Sequence, residues 1–224
     1  MADRYVLLVE GRDDVHVLKN LGNHHSIEFI YQKSEPKTKA AIKIEDLEGV
    51  DQLLEILEVR AKAGIDSGLE RLGVVVDADT DIQARWAALR NRLIKSGFQS
   101  KNVPKSPNPK GTVIEQDGRP VVGIWLMPDN KLAGEAVGLE HFIEFLVPEG
   151  DTLWNIAEQC LNSIPDEERR FGIHSQKAHV HTWLAWQKEP GKPMGQAITA
   201  KYLDADASYA QLFVEWLRRL FGVS

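Results

Sequence analysis

The 224-residue sequence predicts an α/β fold: a mostly parallel sheet flanked by helices, with a helical extension at the C-terminal end. Three observations carry this. Short apolar runs without alternation, of which Tyr5–Val9 and Leu72–Val76 are the clearest, read as strands buried on both faces. Stretches with apolar residues three or four apart separate those runs. After about residue 147 the strand-like runs stop and helical spacing continues to the end. The chain therefore divides into residues 1–147, a sheet domain, and 148–224, a helical extension packed on it.

The elements follow in order. Tyr5–Val9 is the first strand, and Val15, Leu18 and Leu21 give the next segment a helical stripe. A second strand is expected over Ile27–Tyr31, and a helix over Leu47–Ala63, with Gly64 and Gly68 as its end. Leu72–Val76 is a strand ending at Asp77. Ile82–Lys95 is a helix stopped at Gly97. Gln99–Gly111 holds three prolines, two serines and three lysines, the composition of an exposed loop. Asp117-Gly118 between Val113–Gln116 and Pro120–Met127 signals a hairpin. Helices are expected over Leu139–Leu146, Asp151–Ser163, Ser175–Gln187 and Ala207–Phe221, with Trp154, Trp183, Trp186 and Trp216 packed against the sheet.

Composition removes several classes of function. Hydrophobic residues at 43% and charged residues at 27% support a sizeable core and exclude wholesale disorder. Apolar runs fall short of the roughly 20 residues a membrane span requires, and the first strand follows Met1–Arg4 directly, so a cytoplasmic protein is expected. One cysteine, Cys160, excludes a disulfide framework and a Cys-rich zinc site; on a helix it reads as a core residue. A net charge of -6 argues against a passive nucleic-acid binder but not against an enzyme whose acids hold metal ions.

The placement of the acids is the informative feature. Glu10 ends the first strand within Glu10-Gly11-Arg12-Asp13-Asp14, Asp77-Ala78-Asp79-Thr80-Asp81 ends another, and Asp129, Glu135 and Glu140 follow a third. In an open parallel sheet ligands bind at the carboxyl ends of the strands, so three strands deliver acids to one edge. Crowded carboxylates repel one another unless a cation sits among them, and hard oxygen donors suit Mg2+ or Mn2+. Asp77 and Asp79 would share one side if extended backbone persisted. Singly, each acid also has a plain structural role open to it: Asp13 or Asp14 could cap the first helix, and Asp81 the one after it.

These residues resemble the Toprim domain, shared by type IA topoisomerases, bacterial primases, recombination-repair proteins and OLD-family nucleases. The resemblance rests on Tyr5–Asp14 and on Val74-Val75-Val76-Asp77-Ala78-Asp79, matching a glutamate after the first strand and an Asp-x-Asp after a later one. It extends to Gly123–Asn130, Gly134-Glu135 and Leu139-Glu140, and with Tyr202–Leu220 the whole is similar to a small uncharacterised Toprim-related prokaryotic family. The resemblance implies a Toprim-like fold and metal-dependent hydrolysis of nucleic-acid phosphodiesters, in defence or repair. By it, Glu10, Asp77 and Asp79 are the principal catalytic acids and Asp14 an auxiliary metal ligand. Glu140, then Glu135, stands for a later glutamate ligand, and Lys177 for an assisting lysine. Zinc-binding cysteines as in primases are missing, as is a second large domain to carry a topoisomerase tyrosine, so hydrolysis fits best.

Rival motifs are weaker. A haloacid-dehalogenase phosphatase needs Asp-x-Asp-x-Thr, but Asp81 stands where the threonine belongs. Gly191-Lys192-Pro193 does not make a phosphate loop, so any ATPase would be a separate partner. His179 and His181 diverge within a helix, and His24-His25 reads as a solvated loop pair. Two segments read as loops could grip nucleic-acid phosphates: Gln32–Lys43, with Lys33, Lys37, Lys39 and Lys43, and Ser96–Lys110, with Lys101, Lys105 and Lys110. The alternative class is a non-catalytic Toprim-like module that binds a phosphate-bearing ligand or a partner protein. DNA is not separated from RNA, and a homo-oligomer stays open.

Overall fold

The computed structural model describes residues 3–31, 41–63, 67–134, 137–172 and 175–223. Strand β1 (Tyr5–Val9) leads into α1 (Arg12–His24); β2 (Phe29–Ile30) and β3 (Ile42–Asp46) precede α2 (Val50–Lys62). Then come β4 (Arg71–Asp77), α3 (Ile82–Lys95) and the pair β5 (Thr112–Ile114) and β6 (Val121–Met127). Five helices complete the chain: α4 (Leu139–Glu144), α5 (Thr152–Asn162), α6 (Ser175–Ala185), α7 (Met194–Thr199) and α8 (Ser208–Phe221).

The six strands lie in the order β2-β3-β1-β4-β6-β5. All neighbours are parallel except β5, which pairs antiparallel with β6. Strand periodicity splits the buried residues between two faces. Leu7, Val9, Val75, Trp125 and Met127 face a core built with α1, α4, α6, α7 and α8, whereas Val6, Leu8, Val74, Val76, Ile124 and Leu126 face α2 and α3. The mostly parallel, helix-flanked sheet that the apolar runs predict is what the chain forms.

Helix α8 crosses the sheet centre. Gly73 and Gly123 are register partners on β4 and β6. A Cβ on Gly123 would fall 2.4 Å from a Leu220 methyl, and one on Gly73 would meet Leu7, Leu220 and Phe221 at 2.6 to 3.1 Å. The two missing side chains form the slot that seats the end of α8. Trp125, Phe213 and Trp216 pack beside it with ring centroids 5.1 to 5.6 Å apart, and the Trp216 indole donates to Thr112 O at 3.1 Å.

Several expectations need correction. The second strand is only Phe29–Ile30, and β3 replaces part of a segment read as loop. In β3, Ile42 and Ile44 are buried while the positions between and after them are charged and half-buried, so the pattern lacks a continuous apolar run. Lys43 therefore sits on a strand, paired with Glu45 at 2.6 Å and Asp3 at 3.0 Å, and not on a phosphate-gripping loop. Helix α7, with six residues too short to show a stripe, also escaped the reading; its Gly195 approaches the His16 carbonyl so closely that a Cβ would lie 2.6 Å away. Trp183 and Trp216 are core residues, but Trp186 is 40% exposed. Cys160 is exposed as well, on the outer side of α5. Asp81 does cap α3, as its position suggested, accepting from Gln83 N and Ala84 N at 2.9 Å, and Asp151 caps α5, accepting from Trp154 N at 3.0 Å. No helix among the described residues is long and apolar enough to cross a membrane.

Candidate metal centre

Strands β1, β4 and β6 are adjacent and parallel, so their carboxyl ends open on one side of the sheet. Glu10 follows β1 directly, and its Oε1 accepts from the backbone N–H of Asp77, the last residue of β4, at 2.8 Å. Gly11 caps α1, and its N–H donates to Asp14 Oδ2 at 3.1 Å, which holds that carboxylate, 9% exposed, at the first turn of the helix. Beyond β6 the chain returns through Val137, which exchanges backbone hydrogen bonds with Asp79 at 2.8 and 3.2 Å. Gly138 then opens α4, whose second residue is Glu140.

Gly138 lies against the Asp77 carboxylate: a Cβ there would fall 2.4 to 2.8 Å from Asp77 Oδ2, Cγ and Oδ1. Only glycine leaves that carboxylate its place. This contact and the Asp79–Val137 bridge bind the β4 and β6 loops together, so Glu140 shares the electrostatic field of the strand-end acids.

That field is strongly unfavourable to charge. Burial first, and then the charges of Asp14, Glu10, Glu140 and Asp79, hold the Asp77 carboxyl well above its ordinary range. Asp14 is pushed up to about 7, mainly by burial and then by Glu10. Burial also raises Glu10, against the opposing hydrogen bond from Asp77 N and the charge of Arg85. Clustered carboxylates in this condition lack compensating positive charge. Two cations lie at the rim: Arg85 pairs with the Asp79 carboxylate and donates through Nε to Asp77 O at 3.1 Å, while Lys177 Nζ lies 3.3 Å from Glu140 Oε1.

Glu10, Asp14, Asp77 and Glu140 thus share one field, with Lys177 beside Glu140. Asp79 stands apart from the arrangement extended backbone would give. Its φ of 53° ends the strand geometry, and its side chain, 53% exposed, is engaged by Arg85. Asp129, the remaining strand-end acid, accepts from Lys131 N and Leu132 N and serves as a turn. Glu135, Lys33, Lys37 and Lys39 lie outside the described residues. Lys101, Lys105 and Lys110 are exposed on a loop that climbs α3, from Ser100 on Arg90 to Pro104 on the Trp86 indole, toward the helix end capped by Asp81. Sequence reasoning missed Arg85 and Gly138. Arg85 carried a faint signal as a cation in the first turn of the helix that follows the acids; Gly138 carried none.

All-oxygen donors and a deficit of positive charge fit a hard divalent cation. The acids are spread more widely than a closed chelate. Among the described residues, three ligand atoms from acids, histidines or cysteine come within 4.8 Å of one another only at His24, His25 and Asp206, far along α1.

Residues 4–222 match the family described as "Protein of unknown function (DUF3226)". No curated protein matches. Among solved structures, the C-terminal region of the Xanthomonas campestris pv. campestris OLD protein is similar, with 13% identity and a TM-score of 0.47 over 98% of this chain and 96% of that one.

Proposed function

We propose that this chain, which belongs to the DUF3226 family, is a Mg2+- or Mn2+-dependent hydrolase of nucleic-acid phosphodiesters. The observation that carries the reading is a set of mutually repelling carboxylates, Asp14 buried and Glu10, Asp77 and Glu140 half-buried, gathered at the ends of β1 and β4 and on α4. The Toprim-like motifs of the sequence support the same assignment. Glu10, Asp14, Asp77 and Glu140 would hold the metal, with Asp79 joining once it leaves Arg85. Ions bound there would supply activation of a water molecule and neutralisation of charge on the leaving oxygen.

The chain's own residues do the rest. The Gly11 N–H orients the Asp14 carboxylate, and the Asp77 N–H orients that of Glu10. Gly138 keeps room for the Asp77 carboxylate. Lys177, 55% exposed beside Glu140, would meet a phosphate oxygen at the rim. Lys101, Lys105 and Lys110 would add phosphate contacts along the backbone of the polymer. An ATPase would be a separate partner, and DNA and RNA are both candidate substrates.

The Asp79–Arg85 pair favours a second reading, in which the module binds a phosphate-bearing ligand or a partner without cleaving it. Incubation of the full chain with Mn2+ and plasmid, single-stranded DNA or tRNA separates the two. Cleavage lost in Glu10→Gln supports the hydrolase. Binding of polymer without cleavage, or cleavage that persists in Glu10→Gln, overturns it.

A further inference from the structure

A second constellation lies at the other end of α1, 13 residues or about 20 Å of helix from the acids. His24 is the last residue of α1 and His25 its C-cap, so the two are not a solvated loop pair. Their rings meet edge to face, with centroids 4.8 Å apart at 79°. Asp206, on the turn before α8, completes the group. His24 Nε2 lies 3.1 Å from Asp206 Oδ2, and His25 Nε2 lies 4.0 Å from Asp206 Oδ1 and 2.8 Å from the Ala205 carbonyl. One donor atom from each of the three side chains falls within a 4.8 Å sphere of separation.

Both flanks are held without help from the imidazoles. His25 N donates to Leu21 O and Gly22 O, and the His25 carbonyl accepts from Arg218 at 3.3 Å. Asp206 N donates to Asp204 Oδ1, Asp206 O accepts from Gln211, and Asp204 N is anchored on Leu146 O at 2.7 Å. The donors are therefore presented together by the fold.

We propose that His24, His25 and Asp206 bind one divalent transition-metal ion of the zinc class. Two imidazoles and one carboxylate suit zinc, whereas Mg2+ prefers oxygen alone. Three protein ligands leave a fourth position for water or a ligand atom. A cavity of about 670 Å³ borders the cluster through His24 and Asp206 and is lined by both polar residues, such as Asn23 and Asp204, and apolar ones, such as Ile198 and Leu203, so the cluster faces solvent-reachable space of mixed character. In the metal-free protein the His25 Nε2 must donate, because a carbonyl only accepts, and the His24 Nε2 donates to the carboxylate. Loading shifts each ring proton to Nδ1 and turns the Nε2 lone pairs toward the ion. The ion then ties α1 to the turn before α8.

The test uses the full chain with Zn2+ by calorimetry and Co2+ by visible absorption, comparing wild type with His24→Asn, Asp206→Asn and Glu10→Gln. The expected result is one Zn2+ bound at this site, weakened at least ~10-fold in His24→Asn and Asp206→Asn and unchanged in Glu10→Gln. Ligand-field bands of imidazole-bound Co2+ should follow the same pattern. Zn2+ should raise the Tm of wild type and not of His24→Asn. Asp206, 63% exposed, gives a variant that keeps the fold if His24→Asn does not, with circular dichroism as the check. Absence of saturable Zn2+ uptake by wild type, or uptake and Co2+ bands unchanged in Asp206→Asn, overturns the proposal.

Discussion

The two ends of α1 handle charge in opposite ways. At its start, Asp14 shares one electrostatic field with Glu10, Asp77 and Glu140, and two cations, Arg85 and Lys177, lie beside Asp79 and Glu140. At its end, His24 and His25 meet one carboxylate, and each Nε2 already has a partner in the protein. The first arrangement is repulsive without an added cation. The second is satisfied as it stands, and a metal would exchange one set of bonds for another. Folding stability should therefore respond to removal of an acid in opposite directions at the two ends, which is a difference experiment can break.

The largest stability effect is expected from Asp14→Asn in the metal-free protein. A carboxyl whose folded pKa is raised binds more protons folded than unfolded, so its contribution is fully favourable only below the unfolded value of ~3.9. That contribution is lost as pH rises toward about 7, the folded pKa of Asp14. At pH 7 with chelator present, Asp14→Asn should be more stable than wild type by on the order of 1–4 kcal/mol. The difference should vanish near pH 4, as read by urea denaturation. If Asp14→Asn is destabilised at pH 7, the acid cluster is not the repulsive region described. Asp206→Asn, measured alongside, should lose stability slightly rather than gain it.

A smaller effect is expected from Gly138→Ala, which drives a methyl into the Asp77 carboxylate. A cost of about 1–3 kcal/mol should appear in thermal unfolding, together with weaker Mn2+ binding, because the carboxylate must move. Normal stability and normal Mn2+ affinity in that variant would remove Gly138 from the site. The smallest effect belongs to Arg85→Gln. Freeing the Asp79 carboxylate from its ion pair should tighten Mn2+ binding by up to ~5-fold, the worth of a partly exposed pair. Weaker binding would instead make Arg85 part of the metal site's support.

The sequence showed the sheet where strands are buried on both faces, as in β1, β4 and β6, since their apolar runs are continuous. It did not show β3, where charged Lys43 and Glu45 alternate with Ile42 and Ile44, or α7, where six residues make too little of a stripe. Of the site, the acids were legible because strand ends are marked by the change from apolar to acidic residues. Arg85 and Gly138 were not, because their roles come from how the β4 and β6 loops meet, through the Asp79–Val137 bridge. The His24–Asp206 contact joins positions 182 apart in sequence, and no local pattern encodes it.

The central claim, that the strand-end acids form a site for a hard divalent cation, is tested most directly by Mn2+ calorimetry on wild type, Glu10→Gln and Asp77→Asn. Saturable binding by wild type, weakened by at least ~10²-fold in both variants, is the predicted result. No binding by wild type, or equal binding by Glu10→Gln, would contradict it.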